Sequence, residues 1–171
     1  MLYATQFIPE FGVGYGIWAA VFNSISAFCN AGMDIVKEDS FRSYVTNPVI
    51  NFTTMALIVL GGLGFIVWKD LWQSMKKLIK EKIPVKRIVQ QLKFQTKIVL
   101  SISTFLILFG TVLIFLFEYH NPATMGNLSL PGKVMASLFQ AVTTRTAGFE
   151  TVAQGALTDA VSYTHLRAHE T

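Results

Sequence analysis

Apolar residues fill two long stretches of this chain. No charged residue occurs between Arg42 and Lys69, a run of 26 positions, or between Lys97 and Glu118, a run of 20. At about 1.5 Å per helical residue the runs reach about 39 Å and about 30 Å, enough for a hydrocarbon core about 30 Å thick. The pattern predicts one transmembrane helix over about 47–75, with Pro48 in its first turn, and a second over 98–118. Two other apolar runs differ. Phe11 to Met33 is uncharged but interrupted by Gly12, Gly14, Gly16, Asn23, Ser24, Ser26 and Asn30. Val134 to Thr144 has only 11 residues, about 16 Å as a helix. Each predicts a half-helix, at 17–28 and 132–144, that enters the membrane part-way and stops. Backbone ending there survives only where protein buries it or where it lines an aqueous path.

The two half-helices share a motif. Phe22-Asn-Ser-Ile-Ser-Ala-Phe-Cys-Asn-Ala-Gly-Met-Asp34 and Phe139-Gln-Ala-Val-Thr-Thr-Arg-Thr-Ala-Gly-Phe-Glu150 begin alike, with Phe, an amide, a small residue, a β-branched residue and a hydroxyl. Both close on Ala-Gly, a large apolar residue and an acid. The closing tetrads match at an offset of 116, with one residue of slack upstream. Such an internal repeat defines the architectural unit, here a half-helix and a glycine-centred turn. A half-helix ending inside a membrane aims unpaired carbonyls and its negative dipole end inward, which attracts a cation. Gly32 and Gly148 allow the backbone conformations that such a turn needs. Asp34 and Glu150 are placed to raise the cation concentration at an outer mouth. A single Ala-Gly reads as an ordinary helix cap before a surface acid. Two copies, each tied to a predicted span, favour an ion path.

Composition and charge sharpen this. Hydrophobic residues make up 52% of the chain, charged residues 14%, and the mean hydropathy is +0.48. Soluble domains carry about 25% charged residues, so a membrane protein is expected. The net charge of +4 is concentrated: 69–97 holds nine basic residues against Asp70 and Glu81, a local net of +7. Basic segments beside spans stay in the cytoplasm. The first span then runs out-to-in, the second in-to-out, and both pore loops are extracellular. The same placement removes nucleic acid as an expected partner. Cys29 is the single cysteine, so no internal disulfide forms. The opening MLYATQFIPEFG lacks the basic region of a signal peptide.

Val13-Gly-Tyr-Gly16 repeats the letters of a potassium-channel filter. It supports a rival reading, a tetrameric potassium channel with this stretch as its filter. A filter must follow a pore helix, however, and this stretch precedes one. It reads better as the lead-in to a half-helix starting near Ile17, with Trp18 at the interface. Gly12-x-Gly-x-Gly16 as a nucleotide loop would need a preceding strand and a soluble βαβ unit. Ile8-Pro-Glu-Phe11 supplies no such strand, and no enzyme activity is expected.

Ser26-Ala-Phe-Cys-Asn-Ala-Gly32, the stretch Phe139 to Phe149, and Leu60-Gly-Gly-Leu-Gly-Phe65 before Lys69-Asp-Leu71 resemble the Ktr/Trk/HKT potassium transporters, particularly the bacterial Ktr-type membrane subunit. The resemblance runs from about Tyr3 to Ala160. It implies an all-α membrane protein of helix–pore-loop–helix repeats, four around one path. This chain would be a fragment with two re-entrant half-helices and two full transmembrane helices. Residues 1–80 would form the second repeat, 76–97 the basic cytoplasmic loop, and 97–160 the third repeat. Cys29, Asn30, Ala31 and Gly32 would then lie in one filter strand, 29–33. Arg145, Thr146, Ala147 and Gly148 would lie in another, 145–149. Their backbone carbonyls would coordinate dehydrated potassium, the transported ion, with sodium as a second candidate ion and no other metal. Arg145 would turn behind the filter to a carboxylate or carbonyl. Asn23 and Met33 stand where the family's pattern has His and Phe.

The resemblance also implies a homodimer of full-length pore subunits, a cytosolic nucleotide-binding regulatory ring, and uptake across the bilayer of a bacterial plasma (inner) membrane. After Ala160 a further span would begin. Instead Val161-Ser-Tyr-Thr-His-Leu-Arg-Ala-His-Glu-Thr171 is polar and resembles translated adaptor sequence, so 161–171 is expected to be non-native. The i, i+4 pair His165 and His169 has zinc-ligand spacing but no evident third ligand.

Overall fold

The computed structural model describes residues 2–36, 41–81, 92–126, 128–144 and 147–158. Regular structure among these residues is helical: α1 Leu2–Phe11, α2 Val13–Phe28, α3 Pro48–Gly62, α4 Phe65–Glu81, α5 Phe94–Glu118 and α6 Leu130–Thr143. Short 3-10 turns lie at Arg42–Tyr44 and Gln154–Ala156. The chain divides into two compact units, Met1–Gly62 with Ile107–Thr171, and Leu63–Leu106.

In the first unit the expected lead-in is helical. Gly12, at φ +81°, separates α1 from α2, a conformation that favours glycine. The two helices then pack closely: a Cβ on Gly16 would lie 2.8 Å from the Ile8 backbone. Ala19 and Ala20 are buried on the same helix. Tyr3 of α1 shares a hydrogen bond with Thr54 of α3 at 2.6 Å, and Asn47 Nδ2 donates to Gln6 Oε1 at 2.8 Å. Asn47 Oδ1 also accepts from Val49 N at 3.0 Å, capping α3. Aromatic rings fill the core. Tyr3 stacks on Phe7 at 5.5 Å, Phe7 meets Tyr44 at 6.0 Å, and Phe41 stacks on Phe149 at 5.1 Å. The core therefore reaches the residue directly after Gly148.

The single span expected over 47–75 is interrupted. α3 has 15 residues, about 22 Å, and stops at Gly62. Gly64 follows at φ +80°, and α4 begins at Phe65. Each of Gly61, Gly62 and Gly64 weakens a helix by about 1 kcal/mol relative to alanine. Packing explains Gly61, whereas Gly62 has room for a methyl. A Cβ on Gly61 would lie 1.8 Å from the Phe28 carbonyl oxygen, and one on Gly62 3.5 Å from Asn30 Nδ2. Helix continuity gives way to close contact with the end of α2.

Among the described residues, one continuous helix is long enough to cross a membrane. α5 has 25 residues, and only 6% of its most apolar window is buried. It spans about 37 Å and shows Phe105, Leu108, Val112 and Leu116 at its surface. Below Glu118 it packs on α6 through Gly110, whose Cβ position lies 3.4 Å from the Ala141 methyl. Pro131 sits in the first turn of α6, where its missing N–H costs nothing.

Glu118 is buried at the end of α5 and ties down the chain beyond it. It accepts from Asn121 Nδ2 at 2.8 Å, Thr124 Oγ1 at 2.6 Å, Thr158 N at 2.8 Å and Thr158 Oγ1 at 2.7 Å. Glu118→Ala leaves four donors without their acceptor and should cost at least about 2 kcal/mol. Thermal unfolding of the full-length protein in detergent should show a clear drop, with Glu118→Gln losing less.

In the second unit Val67 and Asp70 of α4 are buried. Asp70 Oδ2 accepts from Lys93 N at 2.9 Å, just before α5 begins. A carboxylate at a helix N-terminus is favoured by the exposed N–H groups there. Lys76 lies over the Trp72 ring at 5.5 Å. Residues 82–91 of the basic loop and 159–171, including the 161–171 tail, lie outside the described residues.

Candidate functional site: paired glycine turns

Val13-Gly-Tyr-Gly16 forms the first turn of α2, and Gly16 N donates to Gly12 O at 2.9 Å. Helical backbone cannot present a ladder of outward-free carbonyls, so the rival channel filter is not formed. Its tyrosine braces the neighbouring chain instead, because the Tyr15 hydroxyl donates to Ile35 O, beyond the first glycine turn.

The first turn starts at the end of α2. Cys29 has φ −81° and ψ 0° and donates from its N–H to Ile25 O at 2.8 Å. Asn30 follows at φ +53°. Its N–H bonds Ala27 O at 3.3 Å, and Ala31 N bonds Ser26 O at 2.9 Å. This pair of bonds with a left-handed residue between is the Schellman cap, with asparagine in place of glycine. The helix is therefore capped by Asn30, and Gly32 is not its cap. Cys29 and Asn30 belong to the capping turn, and the chain has no regular secondary structure from Ala31.

Gly32 has φ +67° and, besides, no room for a side chain. A Cβ there would lie 2.1 Å from Ala147 O and 3.0 Å from Gly148 Cα. Gly148 itself has φ +79°, and its Cβ position lies 3.5 Å from Gly32 Cα. The two glycines marked by the repeat, 116 positions apart in sequence, thus face each other in space. Ala147 is buried, while Gly148 is exposed. Arg145 and Thr146 lie outside the described residues.

The acids behave differently from each other. Glu150 pairs with Arg42, whose Nη2 lies 2.6 Å from its Oε2, and Phe41 N donates to Glu150 O at 3.0 Å. Its charge is largely compensated, so the expectation that both acids enrich cations is weakened at Glu150. Asp34 is half-buried and makes no ion pair among the described residues. The Arg42 contact was not evident from sequence, because 108 positions separate the partners. The Asn30 cap had a readable signal: an asparagine just past the last helical residue.

Among the described residues the structure is all-helical, with one membrane-length helix and two shorter helices whose C-terminal turns meet through facing glycines. The sequence profile of TrkH, a family of cation transport proteins, matches residues 6–167, and the chain belongs to that family. It is 42% identical over 147 residues to the Ktr system potassium uptake protein B of Vibrio alginolyticus, covering 86% of this chain and 30% of that protein. It is 33% identical over 157 residues to the protein of the same name from Bacillus subtilis, covering 92% and 32%. It is also 36% identical over 146 residues to the potassium/sodium uptake protein NtpJ of Enterococcus hirae, covering 85% and 29%. The chain thus spans about a third or less of the length of these relatives.

Proposed function

We propose that this chain supplies two of four repeats around a potassium-uptake path, with α2 and α6 as re-entrant half-helices and the two glycine turns as filter strands. The observation that carries this reading is the approach of Gly32 to Ala147 and Gly148. Two half-helices end at one place, and their last carbonyls and dipole ends supply partial negative charge there. Carbonyls of Ala31, Gly32, Ala147 and Gly148 replace the hydration shell of a potassium ion, joined by those of Arg145 and Thr146. Cys29 and Asn30 act at the inner end by shaping the turn. Asp34 remains the stronger candidate for the outer mouth.

The relatives' names support potassium as the main ion, and that of NtpJ adds sodium. The phrase "Ktr system" fits a pore subunit working with regulatory partners, and a homodimer with a cytosolic nucleotide-binding ring is the assembly we propose. The basic segment 69–97 faces the cytoplasm of a bacterial inner membrane by the positive-inside rule.

Gly148→Ser tests the reading. Among the described residues its Cβ would meet only Gly32 Cα, at ordinary contact distance, so the protein should still fold while the strand is perturbed. In the full-length protein, expressed in cells lacking their own potassium uptake, potassium-over-sodium discrimination should fall about tenfold or more, equivalent to about 1.4 kcal/mol. Unchanged uptake and discrimination at matched expression would remove the third-strand assignment.

A further inference from the structure

Ser26 and Thr143 occupy equivalent places in the repeat, and each makes the same two hydrogen bonds. The Ser26 carbonyl accepts from Ala31 N at 2.9 Å, and the Thr143 carbonyl accepts from Ala147 N at 3.0 Å. The Ser26 hydroxyl donates to Met33 O at 2.5 Å, and the Thr143 hydroxyl donates to Phe149 O at 2.8 Å. Both residues are buried, at 4% and 3% exposure. One residue in the last turn of each half-helix therefore grips the chain on both sides of the glycine. It holds the N–H just before Gly32 or Gly148 and the carbonyl just after.

These bonds run against local habit. A hydroxyl inside a helix ordinarily bonds back to the carbonyl four residues earlier. Ser24 does so to Ala20 O at 2.6 Å, and Ser137 to Lys133 O at 2.8 Å. Ser26 and Thr143 reach forward instead. The two turns also differ in length, because four residues lie between Ser26 and Ala31 and three between Thr143 and Ala147. The same pair of bonds forms in both, so the clamp is kept while the loop varies.

We propose that Ser26 and Thr143 are positioning residues that set ion specificity. Each hydroxyl turns the carbonyl of Met33 or Phe149 back toward its half-helix. The run of carbonyls facing the ion then ends at Gly32 and Gly148. With both ends of each turn fixed, the oxygens are held at the spacing of the larger potassium ion and resist closing on the smaller sodium ion. This inference rests on the reading of the two turns as filter strands.

The test uses the full-length protein in potassium-uptake-deficient cells, with Thr143→Val, Ser26→Ala and the double variant, and Ser24→Ala as a control hydroxyl on the same helix. Uptake kinetics for potassium and for sodium are measured at matched membrane expression. Each single variant should lower potassium-over-sodium discrimination about fivefold or more, mainly through KM, and the double variant further. Thr143→Ser and Ser26→Thr should restore it, and Ser24→Ala should leave it unchanged. Should Thr143→Val fail to reach the membrane, Ser26→Ala alone decides. Wild-type discrimination in the hydroxyl-less variants overturns the clamp. If Gly148→Ser nonetheless alters discrimination, the filter reading survives that loss; if it does not, both readings fall together.

Discussion

Gly32→Ala is expected to abolish transport, whereas Gly148→Ala should leave a folded protein with altered selectivity. Both glycines have positive φ, +67° and +79°, which costs a residue with a Cβ about 1–2 kcal/mol. Their surroundings differ. The added methyl at Gly32 would lie 2.1 Å from the Ala147 carbonyl oxygen, and backbone cannot swing aside as a side chain can. The turns must separate, which pulls on the Phe41–Phe149 stack and on the Thr143 to Phe149 bond. Clash and strain together should exceed about 4 kcal/mol, a size reserved for such special sites. At Gly148 the methyl meets, among the described residues, a Cα at 3.5 Å. Membrane yield, thermal unfolding and potassium uptake of the two variants, measured side by side, check this. Equal behaviour of the pair would mean that the turns do not meet as described.

A similar asymmetry is expected one helix away. Gly61→Ala places a methyl 1.8 Å from the Phe28 carbonyl oxygen and should drive α3 off the end of α2. Gly62→Ala adds a methyl 3.5 Å from Asn30 Nδ2, an ordinary contact. It also gains about 1 kcal/mol of helix propensity. Gly61→Ala should therefore lose several kcal/mol of stability and most of its membrane yield, while Gly62→Ala should be neutral or slightly stabilised. Thermal unfolding in detergent distinguishes them. The contrast matters for function because the carbonyl of Phe28 lies in the last turn that leads to Asn30 and Gly32.

Much of this was legible in the sequence because it rested on local chemistry. The uncharged run after Lys97 announced α5, since no charge can be spared in a hydrocarbon core. The repeated Ala-Gly-apolar-acid tetrad marked Gly32 and Gly148, and the facing geometry gives that repetition a spatial meaning. Other features were hidden for physical reasons. The apolar run from Ser43 to Trp68 showed no charge at which to divide it. The break after Gly62 came from packing against Phe28, a contact that no periodicity records. The pairing of Arg42 with Glu150 depended on the aromatic core bringing Phe41 to Phe149. Val13-Gly-Tyr-Gly16 misled by composition alone: a filter depends on backbone conformation, and here those residues are wound into a helix.

The central claim is that the two turns hold a cation through their carbonyl oxygens. Its most direct test is the structure of the full-length protein soaked with thallium, a potassium mimic, and examined by anomalous diffraction. Anomalous density is expected on the axis between the Ala31–Gly32 and Ala147–Gly148 carbonyls, displaced by excess potassium and absent from Gly32→Ala protein that remains folded. Density confined to other parts of the molecule, with none at these carbonyls, would contradict the account.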